Sequence, residues 1–140
     1  MDTKHKILVI EDEADLRDSL KEILLAHGYE VIVTETSEHG LQLVPTVKPD
    51  LILLDIFTGS MHASLFLQRL RDLSDETKNT KVLVLTNLDQ EQTKEKLEKF
   101  GIVGYMVKLH VSLQEVVAKV KDLLTETPDY PNIQNNILQL

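Results

Sequence analysis

The 140-residue sequence has no cysteine and no apolar stretch long enough to cross a membrane. Without cysteine, disulfide bonds and thiolate metal sites are excluded. A membrane-spanning helix needs about 20 consecutive apolar residues, and every apolar run here is far shorter. No secretory signal pattern precedes the first of these runs. We therefore expect a soluble, cytoplasmic protein that has no contact with a membrane.

Basic residues are also scarce, with 15 Lys and Arg against 23 Asp and Glu and a net charge of −8. Binding to a nucleic-acid backbone requires clustered basic side chains, so this balance argues against direct nucleic-acid binding. It is compatible with a cation site or with a protein-binding module. The length predicts one domain with a proper core over residues 1–125. A tail or linker over 126–140 follows, where Pro128 and Pro131 break the helical pattern.

Four short apolar runs each end in polar residues that could carry chemistry. The runs and the residues after them are Lys6–Ile10 with Glu11 and Asp12, Leu51–Leu54 with Asp55, Val82–Leu85 with Thr86, and Gly104–Val107 with Lys108. Such runs are typical of strands in a parallel sheet, which are buried on both faces. Sites in such sheets form at the carboxyl ends of the strands. We therefore expect these polar residues to converge, in a combination that suits a divalent cation and a phosphoryl group.

Helical patterns alternate with the apolar runs and with a further strand over 30–34, which predicts five strands and five helices, (βα)5. The first helix is expected to end at Gly28 and the second to run from Ser37 to about Pro45. The expected apolar stripes of the first, third and fifth helices are Leu16, Leu20, Ile23 and Leu24; Leu65, Leu67, Leu70 and Leu73; and Leu113, Val116, Val117, Val120, Leu123 and Leu124.

The fourth predicted helix, over residues 89–100, has little apolar surface. Leu97 and Phe100 are almost its only strong core anchors. A helix that buries so little area is held loosely, and loosely packed elements are where switching motions occur.

These motifs resemble the receiver domain of bacterial two-component response regulators over roughly residues 5–125. The segment 10–13 is similar to the acidic pair after the family's first strand, and 49–55 is similar to its phosphoacceptor strand. The family's switch hydroxyl, switch aromatic and invariant lysine correspond to Thr86, Tyr105 and Lys108. The resemblance implies an α/β, flavodoxin-like fold with a five-stranded parallel sheet in the order 2-1-3-4-5 and helices on both faces.

The resemblance also implies a signalling domain that catalyses only its own phosphorylation and dephosphorylation. Asp55 would take a phosphoryl group from a phosphohistidine on a sensor histidine kinase or a phosphotransfer protein. Lys108 and the Thr86 hydroxyl would hold the phosphoryl oxygens. Thr86 and Tyr105 would then switch the binding of a downstream protein target, with a homodimer as a further partner that the resemblance allows.

The same resemblance implies a Mg2+ site. Its expected ligands are Asp12 and Asp55, the Phe57 carbonyl, and Glu11 acting mostly through water. Charge supports this independently of the family, because carboxylates about 5 Å apart repel by roughly 3 kcal/mol per pair at an effective dielectric constant of 20. A cluster of three therefore needs a cation, and Mg2+ with Lys108 supplies three positive charges.

The sequence departs from the family pattern at three places. The loop after the phosphoacceptor, residues 56–63, lacks the usual proline followed by glycine, and Asn87 replaces a small residue after Thr86. Leu109 stands where the family has proline after Lys108, so we expect a trans peptide bond there.

Two other functions remain open from the sequence alone. One is a degenerate receiver that binds a partner without phosphorylation, which the altered loops favour and the intact Asp55 and Lys108 oppose. The other is a flavodoxin-like nucleotide or flavin binder. The latter lacks support because no glycine-rich loop follows the first strand, where Glu11 and Asp12 would repel a phosphate.

Overall fold

Five apolar segments form one parallel sheet, with strands in the order 2-1-3-4-5. The strands are β1 (Lys6–Ile10), β2 (Glu30–Thr34), β3 (Leu51–Leu54), β4 (Lys81–Thr86) and β5 (Gly104–Val107). The protein is seen here as a computed structural model, which describes residues 4–125. The predicted tail over 126–140 lies outside the described residues.

Five helices connect and follow the strands, and two of them, the second and the fifth, begin at a side-chain cap. The five helices are α1 (Ala14–Ala26), α2 (Ser37–Val47), α3 (Ala63–Leu73), α4 (Glu91–Glu98) and α5 (Leu113–Leu124). The Thr36 hydroxyl accepts the His39 N–H at the start of α2, and Ser112 with Glu115 forms a capping box at the start of α5. Gly28 follows α1 with a φ of 91°, as expected of a helix C-terminal glycine. In the described part of the chain, no helix has the length and apolar character needed to span a membrane.

The helices cover both faces of the sheet, which creates two core layers. One layer packs α1 and α5 against residues such as Val9 and Leu53, and the other packs α2, α3 and α4 against residues such as Ile10 and Leu54. All four residues of β3 are buried, as its uninterrupted apolar sequence predicts. The edge strand β5 is only half-buried, because one of its sides has no neighbouring strand.

The pairing of the strands brings the polar residues that follow them to the same edge of the sheet. Ile10 pairs with Leu54, and the Asp55 N–H donates to the Ile10 carbonyl at 3.2 Å. Glu11 and Asp55 therefore leave adjacent strands side by side. Thr86 pairs with Val107 across β4 and β5, which brings Lys108 to the same edge.

Three sequence predictions about helices need correction. In α3 the buried stripe includes Phe66, whereas Leu65 and Leu73 are 38% and 41% exposed. Four leucines suggested a stripe, but Phe66, between Leu65 and Leu67, is on the face that meets the sheet. Helix α2 continues past Pro45 to Val47, because the chain leaves the helix only at Lys48, whose φ is 52°. Helix α4 spans Glu91–Glu98 and is shorter than predicted at both ends.

Candidate functional site

Three carboxylates meet at the carboxyl edge of the sheet. One oxygen from each of Glu11, Asp12 and Asp55 can be chosen so that all three lie within 4.8 Å of one another. Glu11 and Asp55 are buried, with 2% and 6% exposure, whereas Asp12 faces solvent. The site therefore has two carboxylates inside and one at its mouth. This is an all-oxygen donor set, which suits a hard cation such as Mg2+.

Lys108 lies at the centre of this cluster. Its Nζ is 2.8 Å from Asp55 Oδ2 and 2.9 Å from Glu11 Oε1. The Glu13 carboxylate, which the sequence reasoning did not place in the site, lies 3.8 Å away. Burial alone would lower the pKa of Lys108, but the hydrogen bonds to Asp55 and Glu11 outweigh it and raise the pKa above its usual value. Lys108 is therefore protonated at neutral pH.

Glu11 is held in place by its backbone as well as by the lysine. Its Oε2 accepts the Glu13 N–H at 3.1 Å, just before α1 begins. Burial raises the pKa of Glu11, while the bonds from Lys108 and Glu13 act in the opposite direction. Burying a carboxylate is costly unless it is paired and hydrogen-bonded, and Lys108 and the Glu13 N–H provide these contacts for Glu11.

Arg17 fixes the acidic segment from the helix side. Its guanidinium donates to the Glu11 carbonyl at 3.0 Å and to the Asp12 carbonyl at 3.4 Å, and it forms an ion pair with Glu35 at 3.5 Å. The sequence analysis did not identify this residue. The available signal was its position in the second turn of a helix that starts directly after the acidic segment.

The loop after β3 folds back over Asp55. Asp55 Oδ1 accepts the Phe57 N–H at 3.2 Å, and the Thr58 hydroxyl donates to the Asp55 carbonyl at 3.0 Å. The Phe57 side chain is 61% exposed. Residue 57 therefore contributes its backbone to the site, whereas its ring lies at the rim.

Thr86 and Tyr105 are linked through the backbone of one residue. The buried Thr86 hydroxyl accepts the Leu88 N–H at 3.3 Å, and the Tyr105 hydroxyl donates to the Leu88 carbonyl. Burial raises the pKa of Tyr105, with further contributions from Asp89 and Asp55. Among the described residues, Thr86 makes no hydrogen bond to Lys108, so the structure brings these two predicted residues to the same edge without joining them.

The segment after Lys108 is a short 3₁₀ turn, Lys108–His110. The Lys108–Leu109 peptide bond is trans, which confirms the prediction from the absence of proline. Leu109 is 81% exposed, next to the buried ion pairs of Lys108.

A doubly wound parallel sheet with carboxylates and a lysine at its carboxyl edge defines a flavodoxin-like domain. The carboxylates of this site suit a cation that prefers oxygen ligands, and the lysine suits a negatively charged group. The sequence matches the family model of the response regulator receiver domain over residues 7–121. The chain belongs to this family. It is a receiver domain of two-component response regulators.

Similar proteins agree with this assignment. The alkaline phosphatase synthesis transcriptional regulatory protein PhoP of Bacillus subtilis (strain 168) is 34% identical over 119 residues, covering 85% of this chain and 48% of that protein. The chain thus spans about half the length of the curated relatives it matches. A response regulator receiver domain protein of Methanospirillum hungatei JF-1 has a TM-score of 0.78 and 25% identity, covering 86% of this chain and 93% of that one.

The fold is shared more widely than the sequence. The chemotaxis protein CheY4 of Vibrio cholerae superimposes with a TM-score of 0.80 at 22% identity, covering 87% of this chain and all of that one. At this identity the match shows the fold alone.

Proposed function

We propose that this receiver domain accepts a phosphoryl group on Asp55 from a phosphohistidine. The observation that carries the proposal is the position of the Asp55 carboxylate. It ends a buried strand, its Oδ2 lies 2.8 Å from Lys108 Nζ, and it shares a 4.8 Å cluster with Glu11 and Asp12. A carboxylate in this setting can act as a nucleophile on phosphorus while cations offset the charge that accumulates.

In the transfer step, an Asp55 oxygen forms a bond to phosphorus as the phosphorus–nitrogen bond of the donor histidine breaks. The leaving imidazole nitrogen keeps the electron pair and takes up a proton. Lys108 neutralises the incoming phosphoryl oxygens, since its raised pKa keeps it charged. The Phe57 N–H, bound to Asp55 Oδ1, orients the carboxylate.

Asp12, Asp55 and the Phe57 carbonyl would hold Mg2+, with Glu11 acting mostly through water. Their oxygen atoms fit the preference of this ion for hard ligands and retained waters. When bound, Mg2+ supplies further positive charge to the phosphoryl oxygens. Asp12 is exposed, and no other described residue pairs with its carboxylate, so it is free to bind a cation.

Thr86 and Tyr105 are the proposed switch. The Thr86 hydroxyl accepts the Leu88 N–H and can still donate its own hydrogen, so a phosphoryl oxygen on Asp55 would draw the hydroxyl towards it with a charge-assisted hydrogen bond. Movement of the Thr86 side chain would break its bond from the Leu88 N–H and release Leu88, whose carbonyl also binds Tyr105. The change at Asp55 is thereby passed to β5 and to the segment before α4.

The partners of this cycle are proteins. A sensor histidine kinase or a phosphotransfer protein would supply the phosphoryl group in the cytoplasm, and a downstream protein or a second copy of the chain would read the result. The charge of −8 opposes direct nucleic-acid binding by this domain, although PhoP is named as a transcriptional regulator.

The degenerate receiver is the alternative, and incubation with acetyl phosphate separates the two. With Mg2+, the intact mass should show one phosphoryl group on the native protein. None should be added to Asp55→Asn or when Mg2+ is chelated. Asp15→Asn, which removes an exposed acid on α1, should be labelled like the native protein. An unlabelled native protein would favour the degenerate receiver.

A further inference from the structure

The loop after Asp55 is hydrogen-bonded to the first turn of α2. The Ser37 and Thr58 hydroxyl oxygens lie 2.7 Å apart, and both residues are fully buried. The Ser37 N–H also donates to the Thr58 carbonyl at 3.4 Å. A buried hydroxyl pair of this kind fixes the distance between two elements, because breaking it leaves polar groups without partners.

The direction of these hydrogen bonds follows from the donor count. A hydroxyl has one hydrogen, and Thr58 uses it on the Asp55 carbonyl at 3.0 Å. Thr58 must therefore accept from Ser37. The result is an ordered chain that runs from α2 through Thr58 to the backbone of the proposed phosphoacceptor.

Glu38, one residue further along α2, forms a second set of hydrogen bonds to the same loop. Its Oε2 accepts the Ser60 N–H at 3.0 Å and the Ser60 hydroxyl. Between these contacts lies Gly59, with a φ of 72°, where a Cβ would overlap Glu38 Oε1 and lie 3.1 Å from Thr36 Cβ. Only glycine allows the loop to approach α2 this closely.

We propose that Ser37, Glu38, Thr58 and Ser60, here called the α2 clamp, position the Phe57 carbonyl for Mg2+. Phe57 lies between Asp55, which binds its N–H, and Thr58, which the clamp holds. Its carbonyl is thus fixed from both sides. This inference rests on the proposed function, since it concerns the same Mg2+ site, and it makes α2 a positioning element for the metal.

The test measures Mg2+ affinity of the unphosphorylated protein by isothermal titration calorimetry, together with the melting temperature in Mg2+-free buffer. Glu38→Asp keeps the charge but shortens the reach to Ser60. Thr58→Val keeps the volume but removes the hydroxyl, and Thr58→Ser restores it. Glu22→Asp on α1 and Thr46→Val on α2 are the matched controls, because both residues are exposed.

Groups that orient metal ligands typically contribute about tenfold or more to metal affinity. Glu38→Asp and Thr58→Val should therefore raise the Mg2+ dissociation constant by about tenfold, while Thr58→Ser and both controls keep the native value. A lowered melting temperature with unchanged Mg2+ affinity in both clamp variants would make the clamp purely structural and overturn the inference. A native protein that binds no Mg2+ would overturn the proposed function as well, so the two failures are distinguishable.

Discussion

At the scale of single residues, the charge balance of the site depends on Lys108. Its ammonium is the only described cation that contacts both buried carboxylates, at 2.8 Å from Asp55 and 2.9 Å from Glu11. Because the pKa of Lys108 in the fold is raised above 10.5, its stabilising effect is present at neutral pH. That effect is lost only as the pH rises through the raised pKa.

Lys108→Met should therefore destabilise the protein in Mg2+-free buffer at neutral pH. Removing one partner of a buried ion pair costs about 3–5 kcal/mol when the remaining charge stays ionised, and less when the carboxyls take up a proton. The measurement is the free energy of unfolding from denaturant titration. Lys21→Met, which removes an exposed lysine on α1, is the control and should match the native protein. Equal stability of Lys108→Met and the control would contradict the account.

Sequence reasoning predicted the site residues that strand ends position, and missed those that depend on loop paths. Glu11, Asp55 and Lys108 were predictable because parallel strands end at one edge. Glu13 and Arg17 were missed because their contacts depend on the path of the segment before α1, and the position of Arg17 early in α1 was the one signal for its role. The bond between Thr86 and Leu88 was equally hidden, because it depends on the local fold of the β4–α4 loop.

At the scale of elements, α4 differs from the other helices in how little it buries. Leu97 is its one buried residue, whereas α5 buries five. Phe100, just after α4, packs only partly against the core. Little buried area means a low free-energy cost of local opening.

The amides of α4 should exchange with deuterium faster than those of α5, measured residue by residue by NMR. Tyr105→Phe should widen the difference, because it removes the hydrogen bond that holds the Leu88 carbonyl in the preceding loop. The α5 amides are the internal control, since the two helices lie in different core layers. Similar protection of α4 and α5 in the native protein would refute the view that α4 is held loosely.

The junction of α2 with the β3–α3 loop should make stability depend on acidity. The hydrogen bond from the Ser60 hydroxyl, followed by backbone N–H groups, lowers the pKa of Glu38 below 4.5. An acid with a lowered pKa in the fold contributes stability above its unfolded pKa. That contribution is lost as the pH falls through the lowered value.

The melting temperature of the native protein should thus exceed that of Glu38→Gln at neutral pH, and the two should converge in acid below the lowered pKa. Both are measured in Mg2+-free buffer, so that metal binding does not contribute. Glu22→Gln, on the exposed face of α1, should show no such convergence. If the melting temperatures of the native protein and Glu38→Gln differ by the same amount at every pH, the hydrogen bonds of the ionised Glu38 carboxylate do not cause the difference.

The sequence predicted strands better than helix faces. An uninterrupted apolar run fits a strand that is buried on both faces, whichever face each side chain points to, so β1 and β3 could be assigned directly. A helix face depends on a few residues, and in α3 the exposed Leu65 and Leu73 obscured the true stripe around Phe66. The half-buried state of β5 could not be read from its own residues, because it results from its place at the sheet edge.

At the scale of the whole molecule, the topology that brings the strand ends together also concentrates negative charge. The alternation of strands and helices predicted a parallel (βα)5 sheet, and the strand order was implied by the resemblance to receiver domains. The chain carries eight more negative than positive charges, and three of its carboxylates lie within 4.8 Å. A ligand that binds only the folded state stabilises it by mass action.

Mg2+ should therefore raise the melting temperature, with a gain of about 2.7 kcal/mol at one hundred times the dissociation constant. Asp12→Ala should abolish most of this shift, because Asp12 is the exposed carboxylate of the cluster. Asp18→Ala, which removes an exposed acid from α1, should retain it. If Mg2+ raises the melting temperatures of Asp12→Ala and Asp18→Ala equally, Mg2+ does not bind at the carboxyl edge of the sheet.

The central claim is that Asp55 carries the phosphoryl group, and the most direct measurement is chemical location of the acyl phosphate. After incubation with acetyl phosphate and Mg2+, borohydride reduces a phosphorylated aspartate to homoserine, which peptide mass spectrometry locates in the sequence. The account predicts homoserine at position 55 alone, next to the lysine that binds Asp55 Oδ2. Reduction at Asp12 or at any other acidic residue, with Asp55 unmodified, would contradict it.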